Sequence, residues 1–224
     1  MSGRVLLIGA GGHAQVVAEA LWRMAEAGSG WEPLGFVDDE PTLQGCSFLG
    51  LPVLGPIALW REVGADALIV AVGDNATRRR LYLALREAGA RFATVVHPRA
   101  VVAPDVVIGP GSMILAGVVV NMGSVIGANV ILNTACSLDH HNRIGDHVHV
   151  APGVHTGGDV SIGEGALLGI GATVLPGRTV GAWSVLGAGA VAVHDIPPGV
   201  MALGVPARWG DRRDDGRWTM DDGR

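Results

Sequence analysis

Residues 102–126, VAPDVVIGPGSMILAGVVVNMGSVI, repeat with a period of six, and this period decides the fold of the second half of the chain. The repeat continues to residue 192 without an insertion. Of its sixteen positions fourteen are branched aliphatics, and the positions are Val102, Ile108, Ile114, Val120, Ile126, Leu132, Leu138, Ile144, Val150, Thr156, Ile162, Leu168, Val174, Val180, Leu186 and Ala192. Hexapeptide repeats of this kind build a parallel β-helix, whose stacked coils bury one continuous apolar column.

Glycines often follow the aliphatic position, so the repeating unit reads aliphatic, glycine, then four small or polar residues. These glycines are Gly109, Gly127, Gly145, Gly163, Gly169, Gly181 and Gly187. A content of 35 glycines with only 4% aromatic residues also suits a β-helix, whose narrow interior is filled by Val, Ile and Leu.

The composition changes near residue 96, which predicts two domains followed by a tail. We expect a Rossmann-like domain over residues 1–95, a β-helix over 96–208, and a charged tail, disordered or loosely attached, over 209–224.

The N-terminal region opens with a strand, a glycine loop and a helix. An apolar run at 4–8 precedes Gly9, Gly11 and Gly12, and residues 14–27 have an apolar helical face. Glycines let backbone N–H groups approach a phosphate, and the helix N-terminus favours an anion. This start predicts a site for a nucleotide diphosphate.

Two further predicted strands end in polar residues at the same sheet edge. Residues 33–37 precede Asp38-Asp39, whose carboxylates can accept from a base or ribose, and residues 67–72 precede Gly73. The glycine spacing also fits a dinucleotide fingerprint, but about 95 residues supply only one mononucleotide-binding half. A domain that binds nothing stays open, because paired acids are ordinary turn residues, and the arginines at 78–80 are also compatible with a solvated helix face.

Charge and cysteine content exclude several partners. A net charge of −5 without a Lys/Arg cluster outside the tail argues against nucleic acid. No apolar run approaches the roughly 18 to 20 residues of a membrane span, and the run near the N-terminus is too short for a signal peptide. Cys46 and Cys136 have no metal or redox spacing, so we expect a cytoplasmic location.

Five of the eight histidines fall within sixteen residues, at His140, His141, His147, His149 and His155. Such a cluster on a coil surface indicates a site, because imidazole is both the usual general base near neutral pH and a common zinc ligand. In a triangular coil, residues eighteen apart stack and residues nine apart lie half a turn from each other. His140 and His149 can therefore meet only between two chains, which predicts a closed ring, a homotrimer with sites between subunits.

Residues 4–208 resemble the nucleotide-amino-sugar N-acetyltransferases, a family that includes PglD-type and perosamine enzymes and sialic-acid O-acetyltransferase relatives. The motifs that carry the resemblance are Gly11-Gly12-His13, Asp38-Asp39, Gly73-Asp74-Asn75, Asn133-Thr134 leading to Asp139-His140, residues 144–153 and Gly204-Val205-Pro206-Ala207-Arg208. The resemblance implies a left-handed β-helix, a trimer, acetyl-CoA bound between helices without a metal, and a nucleotide sugar on the N-terminal domain.

The resemblance also implies roles for individual residues. His140 would be the general base of a direct acetyl transfer, His149 would bind the acetyl or pantetheine end of CoA, and the backbone at Ile170 and Ala188 would line its arm. Gly11, Gly12 and His13 would cradle the diphosphate, with Asp38, Asp39 and Gly73 near the base and sugar. Relatives commonly carry an acid after the catalytic histidine. Here His141 occupies that position and Asp139 precedes it, so either Asp139 orients His140 or His140 is tuned differently, with His141 as an alternative base.

Three other functions compete with sugar N-acetylation. A sugar O-acetyltransferase shares the motifs, and a non-catalytic sugar-nucleotide-binding protein would share the N-terminal site. A zinc enzyme resembling the γ-type carbonic anhydrases would use the histidines as ligands, but it has no use for a nucleotide-binding domain. The acid pair does not distinguish UDP from GDP and does not identify the sugar.

Overall fold

The computed structural model describes residues 3–210 of the chain. Its N-terminal α/β region contains β1 (Gly3–Ile8), α1 (Gly12–Glu26), β2 (Trp31–Val37), β3 (Ser47–Phe48), β4 (Leu51–Pro52), β5 (Ala67–Val70) and α2 (Asn75–Glu87), with short 3-10 helices at Pro41–Leu43 and Ile57–Arg61. The parallel sheet has the order β2-β1-β5. The predicted strands and helix are confirmed, with ends shifted by one or two residues.

Strand β1 lies at the centre of this sheet, between β2 and β5, and most of its residues are buried. The last four residues of β1 and all four of β5 are buried, as continuous apolar strands of parallel sheets usually are. The chain leaves β1 toward β2 on one side, while β5 pairs on the other side. Such a reversal opens a crevice at the carboxyl edge, where ligands bind in open α/β sheets. Neither helix of residues 3–210 is long and apolar enough to cross a membrane.

Short strands then recur every six residues. They are β6 (Val95–Val96), β7 (Val101–Val102), β8 (Val107–Ile108), β9 (Met113–Ile114), β10 (Val119–Val120), β11 (Val125–Ile126), β12 (Ile131–Leu132), β13 (Ser137–Leu138), β14 (Arg143–Ile144), β15 (His149–Val150), β16 (His155–Thr156), β17 (Ser161–Ile162), β18 (Leu167–Leu168), β19 (Thr173–Val174), β20 (Thr179–Val180), β21 (Val185–Leu186), β22 (Val191–Ala192), β23 (Met201–Leu203) and β24 (Arg208–Gly210).

These strands form the three faces of a triangular prism. The first face holds β7, β10, β13, β16, β19 and β22, the second β8, β11, β14, β17 and β20, and the third β6, β9, β12, β15, β18, β21, β23 and β24. Ile131 pairs with Met113 on one side and His149 on the other, so the eighteen-residue turn is confirmed. We call the edge between the first and second faces the first corner, the next edge the second corner, and the edge that returns to the first face the third corner.

Two columns of side chains fill the prism. The predicted column is buried from Ile114 onward, including Thr156, which is 6% exposed. A second column lies two residues before it, and its buried apolar members are Val118, Val130, Cys136, Val148, Val154, Val160, Ala166, Ala172 and Ala190. The simple six-residue pattern missed this column because serine and asparagine interrupt it.

The glycines that follow the aliphatic positions do not lie at the left-handed corners of the coil. The left-handed backbone occurs two residues later, at every sixth position from Gly111 to Gly189, and includes His141 with a φ of 58°. Gly127 and Gly145 lack positive φ. A β-carbon there would instead lie 2.7 Å from the backbone nitrogen of the coil above. These glycines therefore permit close stacking of coils, and the corner itself accepts other residues.

The α/β region and the coil share one apolar core. Val95, Met113 and Ile131, on the outer side of the third face, pack in one buried cluster with α1 and β1. At the other end, Trp209 lies in β24 and packs against the coil interior. The tail prediction is therefore wrong for residues 209 and 210, and its remainder, residues 211–224, lies outside the described part of the chain.

Candidate functional site

The glycine loop lies at the carboxyl end of β1 and leads into α1. Gly11 is the N-cap residue of α1 and has an extended backbone, with a φ of −67° and a ψ of −177°. No acidic residue occupies the first turn of α1. A β-carbon at Gly11 or Gly12 would meet no other atom within 4 Å, so the loop surface at these two glycines is open. This arrangement suits an anion, because the helix N-terminus carries partial positive charge.

The acid pair supports the loops at this edge. Asp38 Oδ2 accepts a hydrogen bond from the Ala10 amide at 2.8 Å, and Oδ1 accepts one from the Glu40 amide. Asp39 Oδ1 accepts from the Ile57 amide at 2.9 Å. Both acids therefore shape the crevice through backbone contacts, which the sequence interpretation as direct ligand contacts did not anticipate.

The Gly73 loop, at the end of β5, is fixed to the coil by Arg78. The Arg78 side chain is fully buried, so the solvated-face alternative is wrong for this residue. Its guanidinium donates to the carbonyls of Gly73 at 3.1 Å, Asn129 at 3.2 Å and His147 at 2.7 Å. Burial lowers the pKa of Arg78 to about 9. Burying this charge is costly, and the hydrogen bonds that connect the loop to the second corner offset that cost.

His13 and His149 face each other across the junction, with ring centroids 6.2 Å apart. His149 Nδ1 donates to the Gly73 carbonyl at 3.3 Å, and its Nε2 accepts from the side-chain amide of Asn133 at 3.2 Å. Burial lowers the pKa of both imidazoles to about 4, with a smaller contribution from the charge of Arg78. Both rings are therefore neutral near pH 7, and among the described residues the buried Nε2 of His13 has no hydrogen-bond partner.

His140 lies at the first corner with its ring exposed. Its Nδ1 is 3.0 Å from Nδ1 of His141 and 4.0 Å from Oδ2 of Asp159, which comes from the next coil. Asp139 instead accepts from the backbone amide of His140 and from Asn121, and the Asn121 bond is the main cause of its lowered pKa. The acid that faces the His140 ring is therefore Asp159, a residue that the sequence analysis missed.

Asn142 holds this corner from inside the prism. Its side chain is fully buried, and its amide donates to the carbonyls of Asp139 at 2.6 Å and Gly157 at 2.9 Å. Ser124, one coil earlier, donates to the same Asp139 carbonyl at 3.2 Å. Polar residues in an otherwise apolar column were the signal that could have revealed this support.

Ile170 and Ala188 stack on each other at the third corner. The amide of Gly189 donates to the Ile170 carbonyl at 2.8 Å, and the Ile170 side chain is 64% exposed. Val205 is exposed in the same part of the coil, and Leu167 pairs with His149 along the third face. An apolar surface therefore begins beside His149 and continues toward the end of the coil.

The remaining histidines of the cluster have structural or separate positions. His147 is buried at the second corner, bonded to Asn129 and packed edge-on against Tyr82, and burial lowers its pKa. His155 accompanies Ser137 on the first face, with an Nδ1 to Oγ distance of 2.7 Å. His140 lies on the prism edge opposite the third face that carries His149. The structure thus unites His13, Gly73 and His149, and leaves His140 apart from them within one chain.

Comparisons with known proteins support one family. Residues 4–85 match the family model described as the PglD N-terminal domain. A variant of perosamine N-acetyltransferase from Caulobacter crescentus, solved with CoA and GDP-perosamine, is 42% identical with a TM-score of 0.87, covering 93% of this chain and 97% of that one. No curated protein sequence is significantly similar to the chain.

Two other solved structures agree over nearly the whole chain. The acetyltransferase domain of PglB from Neisseria gonorrhoeae FA1090 is 39% identical with a TM-score of 0.84, covering 93% of this chain and 100% of that one. WeeI from Acinetobacter baumannii AYE is 28% identical with a TM-score of 0.80, covering 92% and 98%. The shared fold is the expected left-handed β-helix after a small α/β region. The chain belongs to the PglD-type family of sugar N-acetyltransferases and is an acetyltransferase.

Proposed function

We propose that this protein transfers the acetyl group of acetyl-CoA to the amino group of a nucleotide-linked 4-amino-4,6-dideoxy sugar. The single observation that carries the proposal is the junction at which Gly73, His13 and His149 meet beside the open glycine loop. The related perosamine enzyme, 42% identical, was solved with CoA and a GDP-linked amino sugar. In this chain the N-terminus of α1 and the glycine loop hold the diphosphate, and the crevice beside Gly73 holds the sugar.

His140 acts as the general base in this proposal. It accepts the proton of the sugar amine while the nitrogen attacks the thioester carbonyl, after which the carbon–sulfur bond breaks and the CoA thiolate leaves with a proton. The exposed ring beside Asp159 supports this role, because a neighbouring carboxylate stabilises the imidazolium that forms. General-base assistance is worth roughly 10²- to 10⁴-fold, so positioning of both substrates supplies much of the remaining acceleration.

His149 and the third corner receive the CoA arm. A neutral His149 has its Nδ1 proton directed at the Gly73 carbonyl and cannot offer a positive charge to the thioester. Its part is therefore to hold the Gly73 loop in place beside the CoA arm. The exposed Ile170 surface and the backbone at Ala188 suit the mainly apolar pantetheine arm.

The site is completed by a second copy of the chain in a homotrimer. His140 and His149 lie on opposite sides of one prism, so a base from one chain reaches the crevice of its neighbour when two prisms pack side by side. Around the first corner, Val101 and Val107 expose 65% and 60% of their surface, and Met122 exposes 58%. Apolar exposure of this kind beside His140 favours a contact with another chain. Both cysteines are free, which fits a reducing cytoplasm.

A thiol-release assay tests the proposed reaction. Purified protein is mixed with acetyl-CoA and with UDP- and GDP-linked sugars that carry an amine or only hydroxyl groups. The proposal predicts release of CoA thiol with at least one amino sugar and none with the matched hydroxyl sugar. Thiol release only with the hydroxyl sugars would establish O-acetylation instead. Tight binding of a nucleotide sugar without thiol release from the panel would contradict an acetyl-transfer function.

A further inference from the structure

The first corner places together three side chains of types that can act as metal ligands. One ligand atom each of His140, His141 and Asp159 lies within 4.8 Å of the other two. The separation of the two Nδ1 atoms is 3.0 Å, and that from His140 Nδ1 to Asp159 Oδ2 is 4.0 Å. Tetrahedral zinc with bonds of about 2.0–2.1 Å needs ligands roughly 3.3 Å apart, so small rotations of exposed side chains are sufficient.

The backbone holds these ligands in register. The amide of Asp159 donates to the His140 carbonyl at 2.9 Å, and the amide of His141 donates to Met122 of the preceding coil. A β-carbon at Gly158 would collide with the His140 ring, so the imidazole lies directly on that glycine. The two histidines are adjacent and the acid belongs to the next coil, so ordinary coil stacking preorganises the set.

We propose that this corner is a zinc-binding site in which the ion competes with the proton for the catalytic base. Two imidazoles and one carboxylate suit Zn²⁺ and leave its fourth position for water. A neutral imidazole has one available lone pair. Zinc at His140 Nδ1 therefore leaves the remaining proton on Nε2, and the ring can no longer accept a proton from the sugar amine. The inhibitory consequence rests on the proposed function, whereas the binding of zinc does not.

Equilibrium dialysis of the tag-free full chain against Zn²⁺ tests the site directly. We expect one high-affinity ion per chain in the wild type, and at least tenfold weaker binding in Asp159→Asn and in His141→Ala. His155→Ala is the matched control, because it removes an exposed histidine of the first face outside the cluster. Thermal melting checks that each variant is folded, and the visible absorption of Co²⁺ reports whether the ligands are tetrahedral.

The outcomes separate the two proposals. The zinc site would be overturned if the wild type took up no zinc, or if Asp159→Asn and His141→Ala left its zinc uptake unchanged. It would also be overturned if His155→Ala lowered zinc uptake as strongly as these two variants. In the acetyl-transfer assay, zinc at the concentration of half-saturation is expected to halve turnover, and a chelator is expected to restore it. Protein that binds zinc as expected but transfers no acetyl group would contradict the proposed function alone.

Discussion

The position of the His140 imidazole depends on a side chain buried inside the coil. Asn142→Val keeps a similar volume but removes the donor of the buried Gly157 carbonyl and leaves the Asp139 carbonyl with Ser124 alone. An unpaired buried carbonyl costs about 1–3 kcal/mol, so we expect a free energy of unfolding lower by about that amount. Because the corner then shifts, turnover at a temperature at which the variant is folded should fall at least tenfold.

Ser112→Ala is the control for this prediction. Ser112 donates to the Gly127 carbonyl and accepts from the Val130 amide at the second corner, away from His140. Its loss should lower the melting temperature while leaving the turnover of the folded enzyme unchanged. Equal turnover in Asn142→Val and the wild type would show that Asn142 has no part in positioning the base.

The junction histidines predict a pH dependence of stability. Burial lowers the pKa of His13 and His149 from 6.5 to about 4, so between these values the unfolded chain binds protons that the folded chain does not. The free energy of unfolding is therefore highest above pH 6.5 and decreases as the pH falls toward 4, by on the order of 1–3 kcal/mol for each histidine. Urea unfolding at pH 7 and pH 5 measures it. His149→Gln should have a weaker dependence than the wild type, and an unchanged slope would contradict the buried neutral state.

At this scale the sequence was informative about spacing but not about contacts. The eighteen-residue turn places residue 159 on residue 141, so the approach of Asp159 to the corner was available from the repeat. The acid adjacent in sequence, Asp139, was the simpler candidate, and its carboxylate instead bonds Asn121 and a backbone amide. Side-chain direction at a left-handed corner decided between the two acids, and the hexapeptide pattern does not contain that direction.

Among the elements, α2 determines how the α/β region meets the coil. Arg78 and Arg79 are neighbours on α2 with different environments. Arg78 is buried among backbone carbonyls, whereas Arg79 forms an ion pair with Glu164 in which both side chains are 45% exposed. We expect Arg78→Ala to lower the free energy of unfolding by about 2–4 kcal/mol, since several buried carbonyls lose their donor.

Arg79→Ala is the matched control, because exposed ion pairs contribute about 0–1 kcal/mol. Urea unfolding compares the two variants. Arg78→Ala should also weaken nucleotide-sugar binding, measured by calorimetry, because the Gly73 loop loses its attachment to the coil. Equal stability losses in the two variants would contradict the connecting role of Arg78.

The elements themselves were largely predictable. The apolar runs gave β1, β2 and β5, the glycine loop gave the start of α1, and the repeat gave the coil with its eighteen-residue register. The docking of α2 on the second corner was not predictable, because Arg78 is an ordinary basic residue of a helix until the coil surrounds it with carbonyl groups. The end of the coil was missed for a similar reason, since Trp209 packs on an interior that only the folded chain forms.

In the whole molecule, the separation of His140 and His149 has the widest consequence. His149 lies on the third face of the prism and His140 at the corner opposite that face, so the two cannot belong to one site within a single chain. The proposed reaction therefore needs two chains. Light scattering is expected to give the mass of a trimer. His140→Ala and His149→Ala are each expected to have turnover at least tenfold below the wild type, because the first lacks the base and the second lacks the support of the Gly73 loop.

Co-assembly of these two variants tests the shared site most directly. Chains carrying His140→Ala and His149→Ala are co-expressed with different tags, and mixed trimers are isolated on both tags. Each such mixed trimer has intact His140 and His149 at one of its three interfaces, so turnover should rise to roughly a third of the wild-type value. A mixture of His140→Ala and His140→Gln chains is the control and should gain no activity. Mixed trimers of the first pair that are no more active than either variant alone would contradict a site shared between subunits.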